Sequence, residues 1–282
     1  MSKKFKRMLA AYGLVLPSFL VVMAVVAWPI LTAVKTSFTD ADTGGFTFDN
    51  YKYFFTTPKE IKNILFTLYV VIITVVLAIL IAYILALYLR FTKSRISHVI
   101  GTLYLLPRFI PSLVAVYAMI TVIRDSGLIN RFSQLLGGDF KPGLMYHANG
   151  MILMNLWFNI PFAALMITAG LGAIPDSMIE SARDVGAGRL RVLRSMILPL
   201  SVKDVVVAAT FVFMSNVGAF TTPYLMGGNY PKMLGIVLFD QFNKYLRYER
   251  AAAISVIMFL ICSVSAAVYI YTNLKEKEWE KT

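Results

Sequence analysis

Cysteine is all but missing from this sequence: the single copy, Cys262, excludes an internal disulfide and any cysteine-built zinc cluster. Charge is scarce as well. Asp, Glu, Lys and Arg make up 15% of the 282 residues, against about a quarter in a soluble domain, and the mean hydropathy is +0.70. Such a chain has too little polar surface for water and belongs in a bilayer. The GxxxxGK[ST] phosphate loop is missing too, so the chain is not itself an ATPase of that type. With no low-complexity stretch and no internal repeat to divide it, 1–282 is expected to form a single domain.

The apolar residues, 58% of the total, gather into runs of about 22–26 residues, and roughly 20 suffice to cross the hydrocarbon core as a helix. Six spans are predicted: Ala10 to Val34, Ile64 to Leu89, Val99 to Val122, Met151 to Ala173, Asp204 to Met226 and Ala251 to Thr272. Runs such as LYVVIITVVLAILIAYILALYL lack the alternation of barrel strands, so the fold class is an all-α membrane protein. The first run follows Lys3, Lys4, Lys6 and Arg7 as a signal peptide would, but it is long and has no small-residue cleavage site, and it is expected to be retained.

Basic residues set the orientation. Segments 1–9, 90–98, 174–203 and 273–282 hold fifteen Lys and Arg, and the longer opposite loops hold eleven. The positive-inside bias puts both termini in the cytoplasm. Anionic lipid then accounts for the formal charge of +12, and no nucleic acid is implied.

One cytoplasmic segment stands out, IPDSMIESARDVGAGRLRVLRSMILPL at 174–200. Pro175 suits a first helical position and Asp176 complements the positive helix end; Met178, Ile179, Ala182 and Val185 recur at helical spacing. Gly186 and Gly188 permit a sharp turn before a second helical run, Arg189 to Leu198, which Pro199 ends or kinks. The apolar face of the first short helix fits either the membrane surface or a groove on a cytoplasmic partner.

ESARDVGAG followed by ILP resembles the EAA loop of ABC-transporter permease subunits of binding-protein-dependent importers. Glu180, Ala182, Gly186, Leu198 and Pro199 stand at matching positions; Ser181 replaces an alanine and Met196 an isoleucine. GLINRFSQLLG, IPFAALMITAGL and GAFTTPYLMGG resemble the polyamine (spermidine/putrescine) branch, and the likeness runs from Leu14 to Ala267. The resemblance implies a noncatalytic transmembrane subunit of the bacterial inner membrane. It implies a second permease subunit, two cytoplasmic ATPase subunits that bind ATP and Mg, and an extracytoplasmic solute-binding protein, with no cofactor in this chain. It assigns Glu180, Ser181, Ala182, Asp184, Gly186, Leu198 and Pro199 to ATPase coupling. Polyamine is the first expected cargo, with phosphonate, an opine-like compound or ferric iron behind it.

The polar inventory bears on the rival class, an independent channel or secondary carrier. Proton-coupled carriers place acids mid-span. In the predicted spans no Asp or Glu lies deep, and Asp204 is at an edge. Arg108, between Pro107 and Pro111, is either a pathway residue or a snorkelling side chain. Asn155 and Asn159, one turn apart beside Pro161, are the best candidates for pathway lining, the alternative being hydrogen bonds between helices. GLINRFSQLLG is expected to form a small helix at the outer surface, and GAFTTPYLMGGN a plug, a binding-protein contact or an exposed turn.

Overall fold

The computed structural model describes residues 3–279, with side chains from 12 to 272. Helices dominate it, and one isolated antiparallel bridge joins Thr39 to Phe46. In chain order the helices are α1 (Lys3–Val22), α2 (Trp28–Ser37), α3 (Asp49–Thr56), α4 (Pro58–Phe91), α5 (Arg95–Leu103), α6 (Ser112–Ile123) and α7 (Leu128–Leu135). They continue with α8 (Ala148–Gly172), α9 (Asp176–Asp184), α10 (Arg189–Val192), α11 (Leu198–Val217), α12 (Thr221–Met226), α13 (Leu234–Phe239) and α14 (Tyr248–Trp279). Six stretches are long and apolar enough to cross a membrane: Tyr12–Ser37, Pro58–Phe91, Ser112–Leu135, Ala148–Gly172, Arg189–Val217 and Tyr248–Thr272.

Two of these differ from the spans expected, and proline explains both. Val99 to Val122 is not one helix. The chain leaves α5 through a tight 3-10 turn, Leu106–Phe109, and Ile110 takes extended angles ahead of Pro111, as the proline ring demands of its predecessor. The crossing segment therefore shifts to Ser112–Leu135. In the fifth span Pro199 does not end the helix. A single π turn, Leu193–Ile197, precedes it, with the Leu198 N–H donating to Leu193 O, and the wider turn carries the chain past the missing donor. The same device, Met23–Ala27 with Trp28 N–H donating to Met23 O, lets the first span pass Pro29. As a result α10 and α11 form one rod that starts fifteen residues before the expected boundary, and it stops at Gly218 rather than Met226. Asp204 lies near the middle of this rod by residue count, just past the charged turns that belong to the loop 174–200.

The chain divides into two compact units, 1–61 with 238–259 and 62–237 with 260–282. In the first, Asn50 is buried and donates to Ser37 O and Thr39 O, fixing α3 against the end of α2. Arg250 lies over the Tyr53 ring at 4.0 Å, and the Tyr53 hydroxyl donates to Glu60. Burial and the Glu60 charge push the Tyr53 phenol above its ordinary range.

The second unit is organised by small side chains. Ala78, Ala82 and Ala86, spaced one turn apart on α4, are fully buried with Ala163, Ala164, Ile167 and Leu171 of α8 and with Ala208 and Val212 of α11. Helices in lipid gain little from hiding apolar surface, so close backbone approach over alanine supplies the packing. Polar pins complete it. Tyr83 meets Ser201 at 2.9 Å between α4 and α11, and Asn63 and Thr67 of α4 accept the N–H groups of Lys232 and Leu234. The short α12 packs against α6 and α8 with Thr222, Pro223 and Met226 buried; the exposed turn among the readings of GAFTTPYLMGGN is thus set aside. On α7 Asn130 is the buried side chain, whereas Leu128, Phe132, Leu135 and Leu136 are exposed.

Candidate functional site

The loop 174–200 forms one packed structure. Pro175 is extended and stands just before the helix rather than within it, and Asp176 opens α9. Arg183 sits in the last turn, so both ends of α9 carry the charge that its dipole favours. Ile179 is buried and Ala182 half-buried against Ile174, Val192 and Ile197. Glu180, Ser181 and Asp184 stay exposed, and Val185, expected on the apolar face, is 85% exposed. Val185 lies beyond the last turn of α9, where the chain leaves the helical path.

Gly186 makes that departure. Its φ is +85°, its N–H donates to Arg183 O at 2.9 Å, and the Ala187 N–H reaches back to Ala182 O at 3.0 Å. This pair of bonds is the Schellman cap, which needs a left-handed residue where side chains with a Cβ are strained. Ala182 and Ala187, the flanks of the cap, both pack on the core. Gly188 then leads with extended angles into α10. Leu198 and Pro199 lie past the π turn, in the first turn of α11, and both are exposed.

A residue not singled out from the sequence anchors the loop. Arg90, in the last turn of α4, donates Nε to Leu171 O at 3.2 Å and Nη2 to Ile174 O at 3.1 Å. Nη2 also pairs with Asp176 Oδ1 at 2.6 Å. One half-buried guanidinium thus meets a carbonyl in the last turn of α8 and one in the linker beyond it, and holds the first residue of α9. The partners are more than 80 residues away in sequence, so no local pattern announced them.

The expected pathway residues are not together. Asn155 and Asn159 are both buried on α8, and Asn159 faces α11. Asn159 Nδ2 donates to Asn155 O and lies 3.5 Å from Asn216 Oδ1, and Ser215 Oγ donates to Asn159 Oδ1 at 3.4 Å. Asn155 Nδ2 is buried without a hydrogen-bond partner. Arg108 is exposed on the 3-10 turn, its guanidinium 4.9 Å from the Phe162 ring centroid. Closer to the loop, a cavity of about 800 Å3 is lined by Met166, Gly170, Ile174, Met178, Lys203 and Asp204 among others. A Cβ at Gly170 would overlap the Asp204 carboxylate, so this glycine is what lets α8 and α11 meet here. No group of three or more metal-ligating side chains occurs among the described residues.

Six stretches long and apolar enough to cross a membrane, with a capped helix in the loop between the fourth and the fifth, mark a polytopic membrane protein. Residues 78–277 match the family of binding-protein-dependent transport system inner membrane components, and the chain belongs to that family, the permeases of ABC importers. It is similar to the spermidine/putrescine transport system permease protein PotB of Salmonella typhimurium (strain SL1344), 24% identical over 262 residues, covering 88% of this chain and 91% of the relative. The molybdenum transport system permease protein ModB of Azotobacter vinelandii is 25% identical over 197 residues, covering 70% and 86%. Among solved structures, a bacterial ABC transporter involved in the import of alginate has a chain with the same fold, at a TM-score of 0.82 and 19% identity, covering 98% of both chains. As a permease of this family the chain is a multi-pass inner-membrane transport component.

Proposed function

We propose that this chain forms half of the translocation pathway of a polyamine importer and that α9 couples it to a cytoplasmic ATPase. The observation that carries the coupling role is the Schellman-capped helix whose acidic side, Glu180 and Asp184, points away from the chain while Ile179 and Ala182 hold it to the core. The charge asymmetry of the loops favours a cytoplasmic position for it. Two ATPase subunits, a second permease subunit and an extracytoplasmic binding protein complete the assembly; ATP and Mg belong to the ATPase.

The geometry supplies two routes for a displacement of α9. Arg90 ties its first residue to α4, and α10 continues through the π turn into the whole length of α11. A push on the capped helix reaches two spanning rods without a flexible joint other than the glycines, as rigid-body switching requires. Glu180, Ser181 and Asp184 form the contact in this reading, Ala182 and Gly186 seat and cap the helix that presents it, and Leu198 and Pro199 are the root of the driven rod. Arg108 and the Asn155–Asn159 pair stay assigned to the pathway region, the asparagines as its packed wall.

The rod that holds Asp204 begins with three of the arginines of the loop 174–200, so its midpoint is not the midpoint of the membrane, and the lack of acids deep in the spans still speaks against an ion-coupled carrier. Family membership now supports ATP as the energy source. Polyamine as cargo rests on the near full-length similarity to PotB. Uptake of labelled spermidine into proteoliposomes holding both permeases, the ATPases and the binding protein tests both points. Uptake that needs internal ATP and is competed by putrescine is expected; uptake without ATP overturns the coupling reading, and ATP-driven uptake of molybdate but not spermidine overturns the cargo.

A further inference from the structure

We propose that the basic cavity between the end of α4 and the hinge of the cytoplasmic loop binds the headgroup of an anionic phospholipid. The inference rests on the cytoplasmic placement of that loop.

The cavity measures about 630 Å3 and takes its lining from three separate elements. Lys93, just beyond α4, Arg183 of α9 and Arg189 of α10 supply three positive charges, all exposed. Among the described residues none of the three has a carboxylate within ion-pair distance, although Arg90 nearby is paired. Like charges brought together by packing repel until an anion joins them, and arginine forks suit phosphate oxygens. Tyr88 and Thr92 add hydroxyl groups to the same lining.

The remaining wall decides between a free anion and an amphiphile. Leu87, Phe91, Val192, Leu193 and Ile197 line it, and they belong to the ends of two rods that enter the membrane. A soluble anion gains nothing from that apolar surface, and an acyl chain running along α4 and the π turn does. Positive side chains at this level face the anionic leaflet that the orientation implies. A lipid held there would bridge α4 to the Gly186 hinge and so set the resting position of α9.

The test is photolabelling of the assembled importer in nanodiscs of phosphatidylcholine doped with phosphatidylglycerol that carries a photoreactive acyl chain. Mass spectrometry is expected to place adducts within 87–93 and 192–197. Substituting Lys93→Gln, Arg183→Gln and Arg189→Gln together should lower them about tenfold, whereas Lys93→Arg, which keeps the charge and adds a guanidinium fork, should keep them. Equal labelling by a photoreactive phosphatidylcholine, which requires no variant, or labelling indifferent to the glutamine substitutions, overturns the proposal. Val185→Cys in a Cys262→Ser background separates the two readings. Thiol labelling from the periplasmic side refutes the loop placement and this site with it, and cytoplasmic labelling without adducts refutes the lipid site alone.

Discussion

Replacing Gly186 probes the cap directly. A Cβ built there meets no atom within 4 Å, so the cost of a side chain is conformational and not steric. At φ +85° an alanine loses about 1 kcal/mol and a β-branched valine about 2 kcal/mol, whereas asparagine, which visits this region, loses well under about 1 kcal/mol. If the strained loop relaxes when free and re-forms its cap on docking, the whole penalty enters the dissociation constant. At about 1.4 kcal/mol per decade, ATPase binding should weaken about fivefold for Gly186→Ala and about thirtyfold for Gly186→Val, and little for Gly186→Asn. The assay is a titration of purified ATPase against the permease pair in nanodiscs. Equal affinity for valine and glycine, or a loss with asparagine as large as that with valine, would refute the reasoning.

Arg90→Ala should destabilise the permease by about 2–4 kcal/mol, because two carbonyls lose a charged donor. Asp176→Ala, whose carboxylate is largely exposed, should cost no more than about 1 kcal/mol; denaturant unfolding in detergent compares them. Gly170→Ala should cost about 1–3 kcal/mol by forcing α8 from Asp204, while Gly172→Ala, where a Cβ meets nothing, should be neutral or slightly stabilising in the same assay. Asn159→Leu should lower stability by about 1–3 kcal/mol by taking the donor from the buried Asn216 Oδ1, while Ser215 keeps its bond to Val212 O, a loss read in the same unfolding series.

The number of spans was legible because a run of apolar residues long enough to cross lipid has few other uses. Their ends were less so. A proline in such a run looks like a stop, yet the π turns before Pro29 and Pro199 carry the helix through, and hydropathy does not register a turn one residue wider. The turn at Gly186 was readable because glycine takes the left-handed backbone at no steric cost. Arg90 was not, since a cation at a helix end is ordinary and its partners come from another part of the chain. On α7 the usual rule that apolar residues point inward fails: Asn130 is buried, donating to Asp125 O, while the leucines face outward, where lipid or a partner subunit is a suitable neighbour.

The most direct test attaches a benzophenone to Glu180→Cys, with Cys262→Ser, in the assembled importer within native membranes. Light should join this chain to the ATPase subunit as the main product, and the yield should change when ATP is trapped. A product formed with a periplasmic protein, or with lipid alone in every nucleotide state, would contradict α9 as the point where the motor grips the permease.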